Sequence, residues 1–410
     1  MFINEQTIEE ILKDTSYIRT SGSDSERKCA EYIANLCRVM GFEPVIDPFP
    51  VRMYQENKAA LTIDGKEINC KSWHGTSGGK VSGEIYVLEG VDEISLSQCR
   101  GKIVLCIKNF KGMYNTLFQK GALGIITFDG YFYYDDRDIG TRILGTLKDE
   151  GNNLPAVNIN IKDAYDIVKF NGKYAEIDVD IAEYRGISHN VIVDIKGKSN
   201  EMIVACAHYD TTSLSVGAFD NMSACITLLY MAEHFKEKIP ERSLRLLWLG
   251  SEETGLVGSR SYCKYHTNDI ENTVLNINLD LLGCVLGSFT CFSCADENME
   301  QYLRQFALKR GFPATVRLAI RSSDSNSFVE SGVPAVSFAR YAAGDLGETH
   351  TRYDTAEALS ADVLLRDSKF ITSFTENALF KSDEFPDTVT ICEKIERDVS
   401  AYMTGKIDIL

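Results

Sequence analysis

MIVACAHYD, residues 202–210, is an apolar run that stops on a histidine and an aspartate. Its opening residues, Met202 to Ala207, carry no charge, as a strand covered on both faces requires. The polar pair His208 and Asp210 then stands at its carboxyl end. Two later runs repeat the pattern. SLRLLWLG (243–250) leads straight into Ser251, Glu252 and Glu253, and VLNINLD (274–280) ends on Asp280. Further strands are expected at SFTCFSC (288–294) and PAVSFAR (334–340). Between these runs lie helical segments: AFDNMSACITLLYMAEHFKEK (218–238), a stretch from about Leu256 to Tyr265, ENMEQYLRQFALKRG (297–311), and a long helix from about Ala361. Apolar strands alternating with amphipathic helices predict an α/β fold with a mixed, mainly parallel central sheet flanked by helices. NVIVDI (190–195) is expected to form a hairpin-like pair with MIVACAHYD across KGKSNE. In such sheets the active site gathers at the carboxyl ends of strands.

A carboxylate at a buried strand end costs several kcal/mol unless something compensates it. Several of them together point to a divalent cation. His208 offers an imidazole nitrogen, a good zinc ligand at neutral pH. Asp210, two residues on, could accept the second ring N–H of His208 and fix its tautomer. Asp220 in GAFDN (217–221) opens the following helix, and its two oxygens could bridge two metals. Glu252 and Glu253 are adjacent and point differently, so one can bind metal while the other moves a proton. Two cations would acidify a water and stabilise an oxyanion.

The rest of the 410-residue chain frames this centre. Residues 5–42 look helical, with a turn at RTSGSDS (19–25) and a stop at Gly41. From about 52 to 187 the texture changes to short β-rich runs such as GEIYVLEG (83–90), GIITFDG (124–130) and AEIDVDIA (175–182), with one short helix from about Tyr114 to Lys120. That length fits two domains, or one domain carrying an insertion. Lys and Arg number 43 against 59 Asp and Glu, a net charge of −16, so nucleic acid is an unexpected partner. No run reaches the roughly 18 apolar residues that span a membrane. The N-terminus lacks a basic start and an apolar stretch, so a cytoplasmic location is expected. The 12 cysteines read as reduced, mostly buried thiols, including Cys291 and Cys294 of CFSC.

The stretches AHYD (207–210), GAFDN (217–221), LGSEETGLVGS (249–259), NINLDLLG (276–283) and THTRYDT (349–355) together resemble the zinc aminopeptidases of peptidase family M28. Five short motifs in the family's order are far more specific than any one alone. The resemblance covers roughly residues 15–45 and 188–375. It implies that His208, Asp220, Glu253, Asp280 and His350 are metal ligands for two divalent ions, zinc being the expected metal. Asp220 matches the family's bridging aspartate, Glu252 its catalytic base, and Asp210 the carboxylate behind the first histidine. SDSNSF (323–328) resembles the family's SDHxxF segment, with Ser325 where histidine is common. GKIVLCIKNFKGMYNTLFQKGALGIITF (101–128) and LPAVNINIKDAYDIV (154–168) resemble a protease-associated (PA) domain. The implied layout is a metallopeptidase domain over 1–53 and 188–410 with a PA-like insert over 54–187. The implied function is an aminopeptidase that removes N-terminal residues from peptides with a free N-terminus, through water activated by two metals.

Other readings compete. Asp220 alone could be a helix N-cap, and Glu252 and Glu253 alone could be first-turn acids. It is the joint pattern that favours metal. His74, His189, His234 and His266 are expected to be ordinary core or surface residues. Carboxypeptidase action on the same scaffold needs a cationic clamp, for which Arg340 is the candidate. A glutaminyl cyclase works with a single zinc. A non-catalytic binding protein would have lost ligands or the base. Tyr341 and the loop AAGDLGETH (342–350) are candidates for the substrate pocket, with Tyr341 near the oxyanion.

Overall fold

The computed structural model describes residues 3–76, 78–107, 112–144, 151–344 and 346–405. Two compact units emerge. One contains the described residues up to Val51 together with Ile187–Met403; the other contains Arg52–Gly186.

In the first unit the strands lie in the order Thr315–Leu318, Gly287–Cys294, Ala335–Ala342, Thr273–Leu279, Met202–His208, Ser243–Leu249 and the final residues of Tyr174–Ile195. Ala335–Ala342, Thr273–Leu279, Met202–His208 and Ser243–Leu249 are mutually parallel. Gly287–Cys294 pairs antiparallel with Ala335–Ala342 and parallel with Thr315–Leu318, and Val191–Ile195 pairs antiparallel with Ser243–Leu249. The sheet is therefore mixed with a parallel centre, as the strand–helix alternation predicts. Leu246 and Leu247 show why: neighbours on one strand, they enter cores on opposite faces, and both are fully buried. Each buried leucine contributes about 1.5–3 kcal/mol.

The expected hairpin is not formed. Ser243–Leu249 lies between the two strands, with Leu244 opposite both Ile195 and Ile203. The KGKSNE connection bonds instead to the segment leading into that middle strand. Lys198 N–H donates to Pro240 O at 3.0 Å and Ser199 N–H to Glu241 O at 2.9 Å. Gly197 permits this approach, since a Cβ there would sit 2.4 Å from the Arg242 carbonyl carbon. Asp194 of NVIVDI stands opposite Arg245 of the middle strand and pairs with it at 2.7 Å, a partnership that the uncharged run Met202–Ala207 cannot offer.

The 5–42 segment forms two helices, Glu5–Asp14 and Asp24–Val39, capped by Asn4 and Ser23. Gly41 follows at φ +96°, the left-handed conformation that ends a helix. The helix expected from Ala218 begins in regular form only at Ser223 and runs to Phe235. Asp220 (φ −114°, ψ 85°) and Asn221 (φ −144°, ψ 35°) are non-helical, so Asp220 is not its N-cap. The strand Thr315–Leu318 and the helices Thr267–Asn272, Ser325–Glu330 and Glu393–Met403 were not anticipated. The first three are too short for periodicity to stand out.

In the second unit Gly79–Leu88, Ile103–Cys106, Gly124–Asp129 and Ala156–Asn160 run parallel. Val104 and Leu105 point into separate cores on the two faces. The expected helix is Met113–Gln119, and a further one, Ile161–Lys169, starts where the Asn160 side chain accepts from Lys162 N–H. Lys108 to Lys111 of the PA-like stretch lie outside the described residues. Among the described residues no helix is long and apolar enough to cross a membrane. The cysteines are all free, and all but Cys70 and Cys392 are buried. Burial pushes the Cys294 thiol up to about 12, which removes it as a nucleophile near neutral pH.

Candidate metal centre

The parallel strands deliver the polar groups to one end of the sheet. Leu249 pairs with His208, so Glu252 and Glu253 emerge beside His208. Asp280 follows the neighbouring strand. Two groups of possible ligands result. His208, Asp220 and Asp280 offer atoms within 4.8 Å of one another, and so do Asp220, Glu253 and His350. Asp220 belongs to both. Its Oδ1 is 3.0 Å from His208 Nε2, and its Oδ2 is 3.3 Å from His350 Nε2. His350 Nε2 is also 3.1 Å from Glu253 Oε2, and Asp280 Oδ1 lies 3.8 Å from His208 Nε2. Glu252 joins His208 and Glu253 in a third such group.

Backbone and neighbouring side chains hold this arrangement. Asp354 accepts from the N–H of Phe219 at 2.7 Å and of Asp220 at 3.2 Å, and from Ser215 Oγ at 2.8 Å. The Asn221 amide spans Asp280: it donates to Leu279 O at 3.0 Å and accepts from Leu281 N–H at 3.1 Å. The Asp220 loop and the Asp280 strand end are thereby tied together. Ser251, Leu281 and His350 adopt positive φ (58°, 53° and 63°), so left-handed backbone occurs at three of the five segments that carry ligand candidates.

Asp210 does not chiefly bond to His208. Its Oδ1 is 3.5 Å from His208 Nδ1, long for a hydrogen bond. Its oxygens accept instead from the N–H groups of Glu252 at 2.9 Å and Glu253 at 3.1 Å. Asp210 thus orients the acidic turn.

The electrostatics suit a cation. Burial alone lowers the His208 imidazole, but Asp210, Asp220, Asp280 and Glu252 outweigh it and raise its pKa well above the usual value. The Glu253 charge, with Asp220, does the same for His350. Burial pushes up the Glu252 carboxyl, opposed by His208 and reinforced by Glu253, Asp324 and Asp280. Burial likewise raises Glu253. Asp280 Oδ1 is buried without a hydrogen-bond partner, whereas its Oδ2 takes Arg321 Nη2 at 3.1 Å. Clustered carboxylates, two imidazoles and an unpaired oxygen facing them fit a pair of divalent ions, and mixed N/O donors suit zinc.

The remaining candidates fall elsewhere. Arg340 is locked bidentate to Asp367, at 2.7 and 2.6 Å, and to Gly287 O at 2.7 Å, so it has no fork left for a substrate carboxylate. Arg340→Ala should strand the Asp367 charge and cost about 3–5 kcal/mol in urea unfolding. A loss no larger than that of an exposed pair, about 0–1 kcal/mol, would contradict this reading. Tyr341, next on the strand, points the other way, with Arg321 5.5 Å from its ring centroid. Asp345 of the adjoining loop lies outside the described residues. Ser325 is fully buried against Ser323 Oγ at 2.9 Å. His189 contacts Arg27 at 2.7 Å, His266 pairs with Asp47 at 2.9 Å, His234 lies 3.6 Å from Glu376, and His74 packs on Tyr54 at 5.3 Å. Arg321, Asp354 and Asn221 were missed as supports. Asn221 and Asp354 belong to the motifs GAFDN and THTRYDT and were within reach of sequence reasoning, whereas Arg321 carries no such signal.

Residues 190–375 match the family model described as Peptidase family M28. The aminopeptidase YwaD of Bacillus subtilis is 23% identical over 395 residues, covering 90% of this chain and 83% of that protein. The structure of BSAP, a zinc aminopeptidase from Bacillus subtilis, superposes with a TM-score of 0.77 at 21% identity, covering 96% of this chain and 99% of that one. An aminopeptidase from Aneurinibacillus sp. strain AM-1 superposes at 0.74 with 22% identity, covering 95% and 96%. Every ligand candidate lies within residues 190–375, the stretch that matches the Peptidase family M28 model.

Proposed function

We propose that this protein is a two-metal aminopeptidase. His208, Asp220 and Asp280 would hold one divalent ion and Asp220, Glu253 and His350 the other, zinc being the preferred metal. The observation that carries the reading is Asp220, which turns one oxygen to each imidazole. The aminopeptidase direction is supported by similarity to proteins named as aminopeptidases. The catalytic domain would comprise residues 1–53 and 188–410, with 54–187 as a PA-like insert.

When bound, such an ion pair supplies Lewis acidity that lowers the pKa of water and stabilises developing negative charge on oxygen. The side chains supply the rest. Glu252 accepts a proton from the attacking water on a carboxylate oxygen and returns it to the departing amine nitrogen. Asp210 fixes where that carboxylate stands, through the backbone of Glu252. The chain's net charge of −16 favours a substrate that arrives with a cationic α-amine.

The alternatives have less support. Arg340 is committed to Asp367, which removes the carboxylate clamp considered for a carboxypeptidase. Two half-sites sharing a carboxylate argue against a single-zinc cyclase. All six groups come together, which argues against a binding protein that has lost its chemistry.

The test is a panel of aminoacyl-anilides with free and acetylated N-termini. Only the free forms should be cleaved, chelation should abolish cleavage, and added zinc should restore it. Equal cleavage of blocked substrates, or activity indifferent to metal removal, would sink the proposal.

A further inference from the structure

Glu26 opens the second helix, far from the strand ends in sequence, yet only 1% of it is exposed. Its Oε1 accepts from Ser251 N–H at 3.0 Å, Ser251 Oγ at 3.1 Å and Ser188 Oγ at 2.9 Å. Its Oε2 accepts from Gly22 N–H at 2.6 Å. Ser21 Oγ donates to Ser251 Oγ from the same side at 2.6 Å. Gly250 makes room, because a Cβ there would lie 3.0 Å from Glu26 Oε1.

Ser251 is the residue that sets the direction of the acidic turn. It holds φ 58°, a conformation disfavoured for a side-chain-bearing residue and maintained by what surrounds it. The next two N–H groups, of Glu252 and Glu253, are bound by Asp210. Three consecutive backbone donors are therefore held by two buried carboxyl groups, one from a strand end and one from the N-terminal helix. None of the hydrogen bonds of Glu26 is to a ligand candidate; they reach the acidic turn at Ser251.

We propose that Glu26 is a positioning residue for the second half-site: through Ser251 it fixes the turn that places Glu253 beside Asp220 and His350. This rests on the metal centre proposed above. The half-site of His208, Asp220 and Asp280 takes no ligand from that turn and should be indifferent to Glu26.

The test is a zinc titration of the full chain against a competing chelator, a readout independent of turnover. Wild type should bind two ions. Glu26→Ala should lower the affinity of one of them by about 10–100-fold, the range for residues that orient ligands, and leave the other unchanged. Glu26→Gln keeps an acceptor oxygen for Ser251 but turns its amide N–H toward Gly22 N–H, so it should restore the weakened ion in part, to an affinity clearly above that of Glu26→Ala. If Glu26→Ala does not fold, Glu26→Asp, which withdraws the carboxyl by one methylene, carries the same expectation. Equal weakening of both ions, no weakening in the variant, or failure of Gln to rise above Ala would each overturn the inference while leaving the metal centre standing. A wild-type chain that binds no zinc overturns both.

Discussion

Glu252→Gln is expected to lower kcat by about 10²–10⁴-fold, the contribution typical of a positioned general base. The substitution keeps the shape of the side chain and removes only its ability to take up a proton. The Glu252 N–H that bonds to Asp210 belongs to the backbone and survives the change. His208, Asp220, Asp280, Glu253 and His350 are untouched, so metal content should stay at two ions per chain and KM should change little. Steady-state hydrolysis of a leucyl-anilide, with metal analysis on the same preparation, checks both halves. Near-normal turnover would remove Glu252 from the mechanism. Lost activity together with lost metal would make it a ligand instead, a possibility raised by its place beside His208 and Glu253.

Asp220→Asn should be as damaging by a different route. Its two oxygens face different imidazoles, and the amide nitrogen that replaces one of them has no lone pair to offer. One half-site must lose a ligand outright, and the other loses the negative charge it shares. Because altering a residue that only orients a ligand costs about 10–100-fold in affinity, loss of a shared ligand should cost more. The loop itself should hold, since Asp354 grips the Phe219 and Asp220 N–H groups of the backbone. Thermal unfolding separates the effects. Zinc at a hundred times its Kd stabilises a one-site protein by about 2.7 kcal/mol, so wild type should gain markedly on adding zinc. The variant should start from a similar metal-free midpoint and gain little. An undiminished zinc response would show that Asp220 does not bridge.

Much of the centre could be read before any fold was known because its chemistry is local to strand ends. His208, Glu252, Glu253 and Asp280 each follow an apolar run within a few residues, and a buried run ending in charge is visible in one dimension. The supports were not visible, because their partners are distant in sequence. Phe219 and Asp354 are 135 residues apart, and Ser251 and Glu26 are 225 apart. Asp210 does lie beside the His208 ring, at 3.5 Å, but its shorter bonds go elsewhere. Two residues along a strand suggested the His208 ring, whereas the fold brought the Glu252 and Glu253 N–H groups closer.

Sequence alone determined that this chain builds an α/β sheet flanked by helices, because the short apolar runs MIVACAHYD, SLRLLWLG and VLNINLD alternate with amphipathic helical segments. It also determined which ends of those strands carry charge. Only the tertiary structure decided the order of the strands. NVIVDI pairs with SLRLLWLG rather than with MIVACAHYD, and the Asp194–Arg245 ion pair across that register favours it. Only the tertiary structure, too, set one oxygen of Asp220 toward each histidine. That geometry depends on an irregular turn held by Asp354 and by the Asn221 bonds around Asp280, contacts that exist once distant segments have packed.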